Sequence, residues 1–307
     1  MLRYILQRFV QIIPTLLAVV AVTFVLFHII GSSPAEVVLG KNASAEAIAD
    51  YNRLQGYDRP LVERFAKYVF QIAQGDLGES SEYRIPVATL LGDGALVSLS
   101  LTVPILLIGT VLALLIGLIC AALRGGWLDR GMLAATTALM SVNYVIWVVV
   151  GQYFLAYRWR LFPLWGYESW VFLALPALIG IVSGLARDVL FYRAVILDEV
   201  GKPYVRTAIA KGLHPSAVLF RHVLRNSLIP VITNISLAIP FLFTGSILLE
   251  GFFGLPGLGG IGLNAVHSSD ATVVQAVVLI GAALYQIANV VADVAYAWAD
   301  PRVRIRN

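Results

Sequence analysis

The residues best suited to chemistry are cations gathered in one short polar stretch, 202–230, which contains no acid between its ends. Two of them, Arg221 and Arg225, lie one helical turn apart, where like charges repel unless an acidic partner meets them. The same charges could equally hold a solvated loop near anionic lipid. Both interpretations remain open from spacing alone. The basic side chains of the stretch are Lys202, Arg206, Lys211, Arg221 and Arg225, with His214 and His222.

Residue patterns typical of catalysis are absent from the sequence. No HExxH, GxSxG or GxxxxGK[ST] motif occurs, and no pair of acids lies deep in one apolar run. The single cysteine, Cys120, excludes an internal disulfide and a cysteine metal site. We therefore expect neither an enzyme nor a metal-binding protein.

The composition predicts a membrane protein. Of 307 residues, 59% are hydrophobic and only 13% are charged, with a mean hydropathy of +0.82. Apolar runs of about 20 residues indicate membrane-spanning helices. The net charge of +4 collects in loops, which favours contact with anionic lipid over nucleic acid.

Six apolar runs predict an all-α membrane protein with about six spans, forming a single domain over residues 1–307. Residues 31–92 form the one long polar segment, and residues 192–227 form a short basic loop. Fourteen of the 22 basic residues lie in short loops on one side, so both termini and the basic loop are predicted to be cytoplasmic. The predicted spans are 9–30, 95–123, 132–156, 170–191, 228–249 and 273–298.

The basic loop is predicted to contain two short helices. Pro203 suits the first position of a helix that continues over 204–211, and Gly212 suits a C-terminal stop. Pro215 then begins a second helix that runs toward Asn226. In the long polar segment, residues 43–55 and 61–74 are predicted to form amphipathic helices.

Two further features leave alternatives open. Ser141 and Asn143 are polar groups in the third span, and they indicate either interhelical hydrogen bonds or a substrate path. The loop 250–270 interleaves glycines with apolar residues. Because glycine permits close approach, this loop is predicted to be a re-entrant packing element or a docking surface.

The basic stretch resembles the coupling loop of an ABC-importer permease, most closely the DppB/OppB type that serves dipeptides, oligopeptides, glutathione or nickel. The residues in register are Arg206, Thr207, Ala208, Ala210, Lys211, Gly212, Leu213, Arg221, His222, Leu224, Arg225, Asn226 and Pro230. Further stretches similar to the family are LRYILQRFVQIIPTL, YDRPLVERFAKYV, EGFFGLPGLGG and DVAYAWADPRVR. The resemblance thus extends over nearly the whole chain.

The resemblance implies a type I ABC importer permease in the bacterial inner membrane. It implies four kinds of partner: a second homologous permease, two ABC ATPases, an extracytoplasmic solute-binding protein and lipid. ATP and Mg²⁺ would bind the ATPases, so no cofactor is expected in this chain. The residues expected to couple to the ATPase are Tyr204, Arg206, Thr207, Ala208, Lys211, Gly212, Leu213 and Arg221. Those expected to pack the outer loop or contact the binding protein are Phe252, Phe253, Gly254, Pro256 and Gly257.

The sequence departs from the family at two places that bear on the solute. Residues 31–34 read Gly-Ser-Ser-Pro where the family has Gly-Asp-Pro, and residues 142–147 replace the usual Leu-Pro-x-Phe-Trp. The alternative function is an ion- or proton-coupled secondary transporter or a channel. Such a carrier usually needs ionisable groups near the bilayer midplane. Here the charges cluster near the inner ends of the spans, and a self-powered carrier needs no ATPase-docking loop.

Overall fold

The computed structural model describes residues 2–27, 39, 43–56, 58–242 and 246–299. In these ranges the chain is helical and contains no β-strand, which confirms the all-α prediction. The Gly-Ser-Ser-Pro departure at 31–34 and the C-terminal arginines lie outside the described residues.

The helices follow the order of the predicted segments. They are α1 (Leu2–Val25), α2 (Ala45–Gln55), α3 (Leu61–Ala73), α4 (Val87–Ala122), α5 (Trp127–Ser141), α6 (Tyr144–Gly151), α7 (Ala174–Val200), α8 (Pro203–Ala210), α9 (Pro215–Ala217), α10 (Leu224–Leu242), α11 (Ile247–Phe253), α12 (Leu258–His267) and α13 (Ala271–Ala299). A π-helical segment, Gln152–Arg158, extends α6, and a 3₁₀ turn, Trp170–Leu173, precedes α7. Helices α2 and α3 match the two amphipathic helices predicted for the long polar segment.

Three helical stretches are each long and apolar enough to cross a membrane: Val87–Ala122, Trp170–Val200 and Ala271–Val291. Two pairs of shorter helices, α5 with α6 and α11 with α12, raise the number to five if each pair is one bent span. The apolar part of α1, Val10–Val25, is shorter. Among the described residues, the counted stretches do not include the predicted spans 9–30 and 228–249, and the pair α11 with α12 largely coincides with the predicted outer loop 250–270. The total of six spans and the side of the termini therefore stay predictions.

The third predicted span is not one straight helix, which corrects the prediction for 132–156. Its two halves, α5 and α6, meet at an angle of 91°. Val142 is extended, and the Asn143 side chain accepts a hydrogen bond from the Val145 amide at 2.9 Å. Asn143 is therefore an N-cap for α6, which explains how the chain breaks here without a proline. Ser141 likewise donates to its own turn, to the Ala138 carbonyl at 2.7 Å. Within the described ranges neither side chain makes an interhelical hydrogen bond, and the alternative of a substrate path stays a prediction.

The second helix of the basic loop is also not separate from the fifth span. From α9 the chain continues through a π-helical segment, Val218–Val223, directly into α10. The prediction of a short helix ending near Asn226 was therefore wrong. A π-helical turn accommodates an extra residue without interrupting the backbone hydrogen bonds, so one continuous helix joins the loop to the span.

By its internal contacts the chain divides into two compact units. The first contains 1–98, 243–247 and 256–290. Its described core packs the start of α4 against α12 and α13, through Val87, Leu91, Leu258, Ile261, Ala265, Val273 and Ala276. Buried Asp270 caps α13 by accepting from the Val273 amide at 3.2 Å, and it also accepts from the Ser80 hydroxyl at 2.6 Å. The long polar segment is thereby tied to the last helix.

The second unit contains 99–242, 248–255 and 291–307, and it includes the basic loop. Helices α4 and α7 approach closely at Gly117, where an added Cβ would lie 3.0 Å from the Arg193 amide nitrogen. Arg193 also makes a bidentate ion pair with buried Asp129, with both N···O distances at 2.8 Å. This ion pair joins the first turn of α5 to α7.

Candidate functional site

The first helix of the basic loop begins and ends as the sequence predicts. Pro203 is the first residue of α8, and Gly212 follows its C-cap with a φ of +80°. The Gly212 amide donates to the Ile209 carbonyl at 2.9 Å, and the Leu213 amide donates to the Ala208 carbonyl at 3.4 Å. These two bonds form a Schellman motif, which ends a helix with a left-handed residue. The left-handed backbone conformation is therefore the reason for a glycine at 212. Lack of space is not the reason, because an added Cβ would meet no atom within 4 Å.

One face of α8 is buried against the ends of the long helices. Val205 is 2% exposed and Ala208 is 7% exposed. They share an apolar cluster with residues of α4, α7 and the π-helical segment. Its other buried members are Leu118, Ala121, Ile196, Val218 and Val223. An isolated helix of eight residues is unstable in water, so this burial is what keeps α8 folded and associated with the long helices.

The loop exposes both cations and apolar side chains. Four exposed cations, which we call the basic surface, are Arg206, Lys211, Arg221 and Arg225. Across the described ranges, none of the four has an acid within ion-pair distance. Ile209, Leu213 and Phe220 of the same loop are also well exposed. Cations without acids beside exposed apolar groups are suited to binding an acidic, partly apolar protein surface.

The eight predicted coupling residues thus lie in one loop, but they do not all face outward. Ala208 is buried and Tyr204 is half-buried, so these two position α8 against the long helices. Thr207 is exposed, and its hydroxyl donates to the Pro203 carbonyl at 3.1 Å. Arg206, Lys211, Leu213 and Arg221 are left to face a partner. Their role in coupling stays a prediction.

Sequence reasoning missed one residue at this site, Glu199, in the last turn of α7. Its carboxylate is buried and accepts a hydrogen bond from the Tyr204 hydroxyl at 2.6 Å. It also pairs with the Lys202 ammonium. The spacing of Glu199 and Lys202 by three residues is a local signal that could have suggested this pair.

Part of the glycine-rich loop is held against the aromatic turn at 157–168. The Gln152 side-chain amide donates to the Leu164 carbonyl at 3.0 Å and to the Phe252 carbonyl at 3.2 Å. The Gly166 amide donates to the Phe253 carbonyl at 2.8 Å. Gly254 has a φ of +64°, and an added Cβ would lie 2.2 Å from the Trp165 ring. Gly254 is therefore a position of close packing.

The remaining predicted residues of this loop differ in exposure. Phe253 is buried and Phe252 is exposed at 38%. In the first unit, Pro256 is exposed and Gly257 is buried. The next amide, that of Leu258, donates to the Ser98 hydroxyl at 2.8 Å. Phe252 and Pro256 are thus accessible to a partner, while contact with a binding protein stays a prediction.

The sequence matches two families of transport proteins. Residues 113–305 match the family described as binding-protein-dependent transport system inner membrane component. Residues 1–89 match the corresponding N-terminal family of membrane components. Together the two matches include the basic loop, the glycine-rich loop and the long polar segment up to the start of α4.

Characterised relatives are similar over their full length. The glutathione transport system permease protein GsiC of Salmonella paratyphi A is 35% identical over 311 aligned positions, with the whole of both chains covered. The GsiC proteins of Pectobacterium atrosepticum and Escherichia coli K12 are 34% and 33% identical, again over the whole of both chains. The matched family and these relatives are thus described as transport proteins, and the family is not one of enzymes.

The resemblance of the loop, the all-helical fold and the full-length matches therefore agree, and the alternative of a self-powered carrier is set aside. The chain belongs to the family of binding-protein-dependent transport system inner membrane components, as a multi-pass ABC-importer permease subunit of the DppB/OppB type in the bacterial inner membrane.

Proposed function

We propose that this permease forms half of the translocation path for a peptide-like solute and that an ABC ATPase binds its basic surface. A second homologous permease supplies the other half, and two ATPases hydrolyse ATP with Mg²⁺, so this chain itself needs no cofactor. The observation that carries the proposal is the basic surface: four exposed cations that meet no acid among the described residues, on a loop anchored to long helices.

The anchoring of α8 supports a mechanical role for the loop. Its buried face contacts the ends of α4, α7 and the π-helical segment that continues into α10. A displacement of α8 by an ATPase is therefore passed to three long helices at once. Because packed helices move as rigid bodies, ATP-driven closure of the ATPases can drive alternating access.

The outer side receives the solute from an extracytoplasmic binding protein. The exposed residues Phe252 and Pro256 are the candidates for that contact, since their neighbours Phe253 and Gly257 are buried. Exposed aromatic and apolar side chains are common anchors of protein interfaces.

For the solute, glutathione is the first compound to test. The relatives at 33–35% identity are named glutathione transport permeases. Residues 142–147 depart from the family pattern at the break between α5 and α6, so a related short peptide is the second compound to test.

The test is uptake by the complete reconstituted importer. Both permeases, the ATPases and the binding protein are placed in proteoliposomes, and radiolabelled glutathione and a labelled dipeptide are supplied in parallel. We expect ATP-dependent uptake of one of them that disappears when the ATPase or the binding protein is omitted. Uptake that is independent of ATP, or driven by an imposed proton gradient, would contradict the proposal.

A further inference from the structure

The last turn of α7 carries two adjacent acids in opposite environments. Asp198 is exposed, and its carboxylate is 4.0 Å from the Lys202 ammonium. Glu199 is only 7% exposed, and it accepts from Tyr204 while pairing with Lys202. Burying a carboxylate is costly unless hydrogen bonds and a cation offset the lost hydration. Glu199 meets both conditions through residues of the coupling loop.

Tyr204 brings three elements together. It lies in the first turn of α8, and its hydroxyl reaches Glu199 of α7 at 2.6 Å. The same hydroxyl is 3.4 Å from the His222 carbonyl in the π-helical segment. Burial, and next the hydrogen bond to Glu199, raise the pKa of Tyr204 above its usual value. The hydroxyl therefore stays protonated and continues to donate at physiological pH.

The orientation of α8 depends on few other contacts. The helix has eight residues and only Val205 and Ala208 are fully buried. Apolar contacts resist separation but are not directional, so they allow a short helix to rotate or slide. A hydrogen bond to a buried carboxylate is directional and stronger than a neutral one. The contact of Tyr204 with Glu199 therefore defines how α8 is oriented on the end of α7.

We propose that Glu199 is a positioning residue that holds the coupling helix on α7 through Tyr204 and Lys202, so that motion of the ATPase reaches the spanning helix. This inference rests on the proposed function of the loop and goes beyond it. Docking onto the ATPase needs the outward face of α8. Transmission of the ATPase's motion needs the attachment of α8 to α7. A variant can therefore lose transmission while it still docks onto the ATPase.

The test compares four variants with the wild-type complex of permeases and ATPases. Glu199→Ala removes the acceptor, and Tyr204→Phe removes the donor while keeping the ring. Glu199→Gln keeps an oxygen that can accept from Tyr204. Asp198→Ala is the matched control, because it removes an exposed acid from the adjacent position. Two quantities are measured: hydrogen–deuterium exchange of the peptide covering 203–213, and glutathione transported per ATP hydrolysed.

We expect exchange in 203–213 to rise on the order of tenfold in Glu199→Ala, because a charge-assisted hydrogen bond that closes the segment is lost. Exchange in Tyr204→Phe should rise less, because the ion pair between Glu199 and Lys202 remains. Exchange in Glu199→Gln should rise less than in Glu199→Ala, because the amide oxygen still accepts from Tyr204 although the ion pair with Lys202 is lost. Exchange in Asp198→Ala should remain within about twofold of wild type, and all variants should retain the ATPase. Transport per ATP should fall in the same order as exchange rises.

Unchanged exchange in Glu199→Ala would overturn the inference, as would an equal rise in Glu199→Gln. Loss of the ATPase from Glu199→Ala alone would overturn it too, because Glu199 would then serve docking and not transmission. If wild type shows no ATP-dependent glutathione uptake, the proposed solute has failed. The exchange comparison still decides on Glu199 in that case.

Discussion

At the scale of single residues, Gly212 is the clearest case in which the sequence alone was sufficient. A glycine after a run of helix formers predicts a left-handed helix end, and the structure has a φ of +80° there. The Glu199–Tyr204 bond could not be predicted in the same way. Many acids lie near helix ends, and only the packing of α8 onto α7 shows which of them is buried.

Gly212→Val should leave membrane insertion intact but reduce transport per ATP. A left-handed conformation costs a non-glycine residue about 1–2 kcal/mol, and more for a β-branched one, so the turn after α8 should change shape. Uptake and ATP hydrolysis are measured in proteoliposomes, with Gly212→Asn as the control because asparagine tolerates this conformation. Normal transport by the valine variant would show that Gly212 is an ordinary loop residue.

At the scale of elements, the sequence located most helices but not the relations between them. The starts of α2, α3 and α8 follow from local signals such as Ser44, which caps α2 by accepting from the Ala47 amide at 3.2 Å. The 91° bend at Asn143 was missed because two polar residues in an apolar run, Ser141 and Asn143, do not by themselves distinguish a helix break from a continuous span. The continuity of the basic loop with α10 was missed because the apolar run that indicates the fifth span begins only at residue 228, whereas the helix that contains it already begins at Pro215.

The ion pair between Asp129 and Arg193 should stabilise the packing of α5 on α7. Arg193→Ala leaves a buried carboxylate without its cation, whereas Asp129→Ala/Arg193→Ala removes both charges. We therefore expect the single variant to melt at a lower temperature than the double variant, measured on the detergent-solubilised complex. A double variant that melts below both single variants would show instead that each side chain contributes separately.

At the scale of the whole molecule, the surface exposes apolar side chains, as expected of a protein that lies in a lipid bilayer. On α4, Leu107, Val111 and Leu115 repeat every four residues, and about half of each is exposed. Such a stripe would favour aggregation in water, but it is stable against lipid or a neighbouring helix. The composition predicted this surface. Which of its stripes meet the second permease depends on a partner that the sequence of one chain does not specify.

The predicted topology can be tested with reporters. One inserted near Pro203 and one fused after Asn307 should both report a cytoplasmic position, and one inserted near Ser44 should report the outside. The reason is the excess of basic residues in the short loops on one side. Three predicted spans lie between Ser44 and Pro203, so the two positions should lie on opposite sides of the membrane. A reporter at Ser44 that reads cytoplasmic would contradict this topology.

The central claim is that the basic surface binds an ATPase and not lipid alone. The two cases differ in the free energy that is lost when one of its charges is reversed. Reversing a charge that meets an acid in a partly buried interface costs about 2–5 kcal/mol, roughly 30- to several-thousand-fold in affinity. Reversing one that meets only lipid headgroups costs about 1 kcal/mol per residue.

The direct measurement is copurification of the ATPase with permease variants present in equal amounts in the membrane. Arg206→Glu and Arg221→Glu should lose the ATPase, while Arg302→Glu, in the C-terminal tail, should retain it as wild type does. Equal copurification with all three variants would contradict the account and leave lipid as the partner of the basic surface.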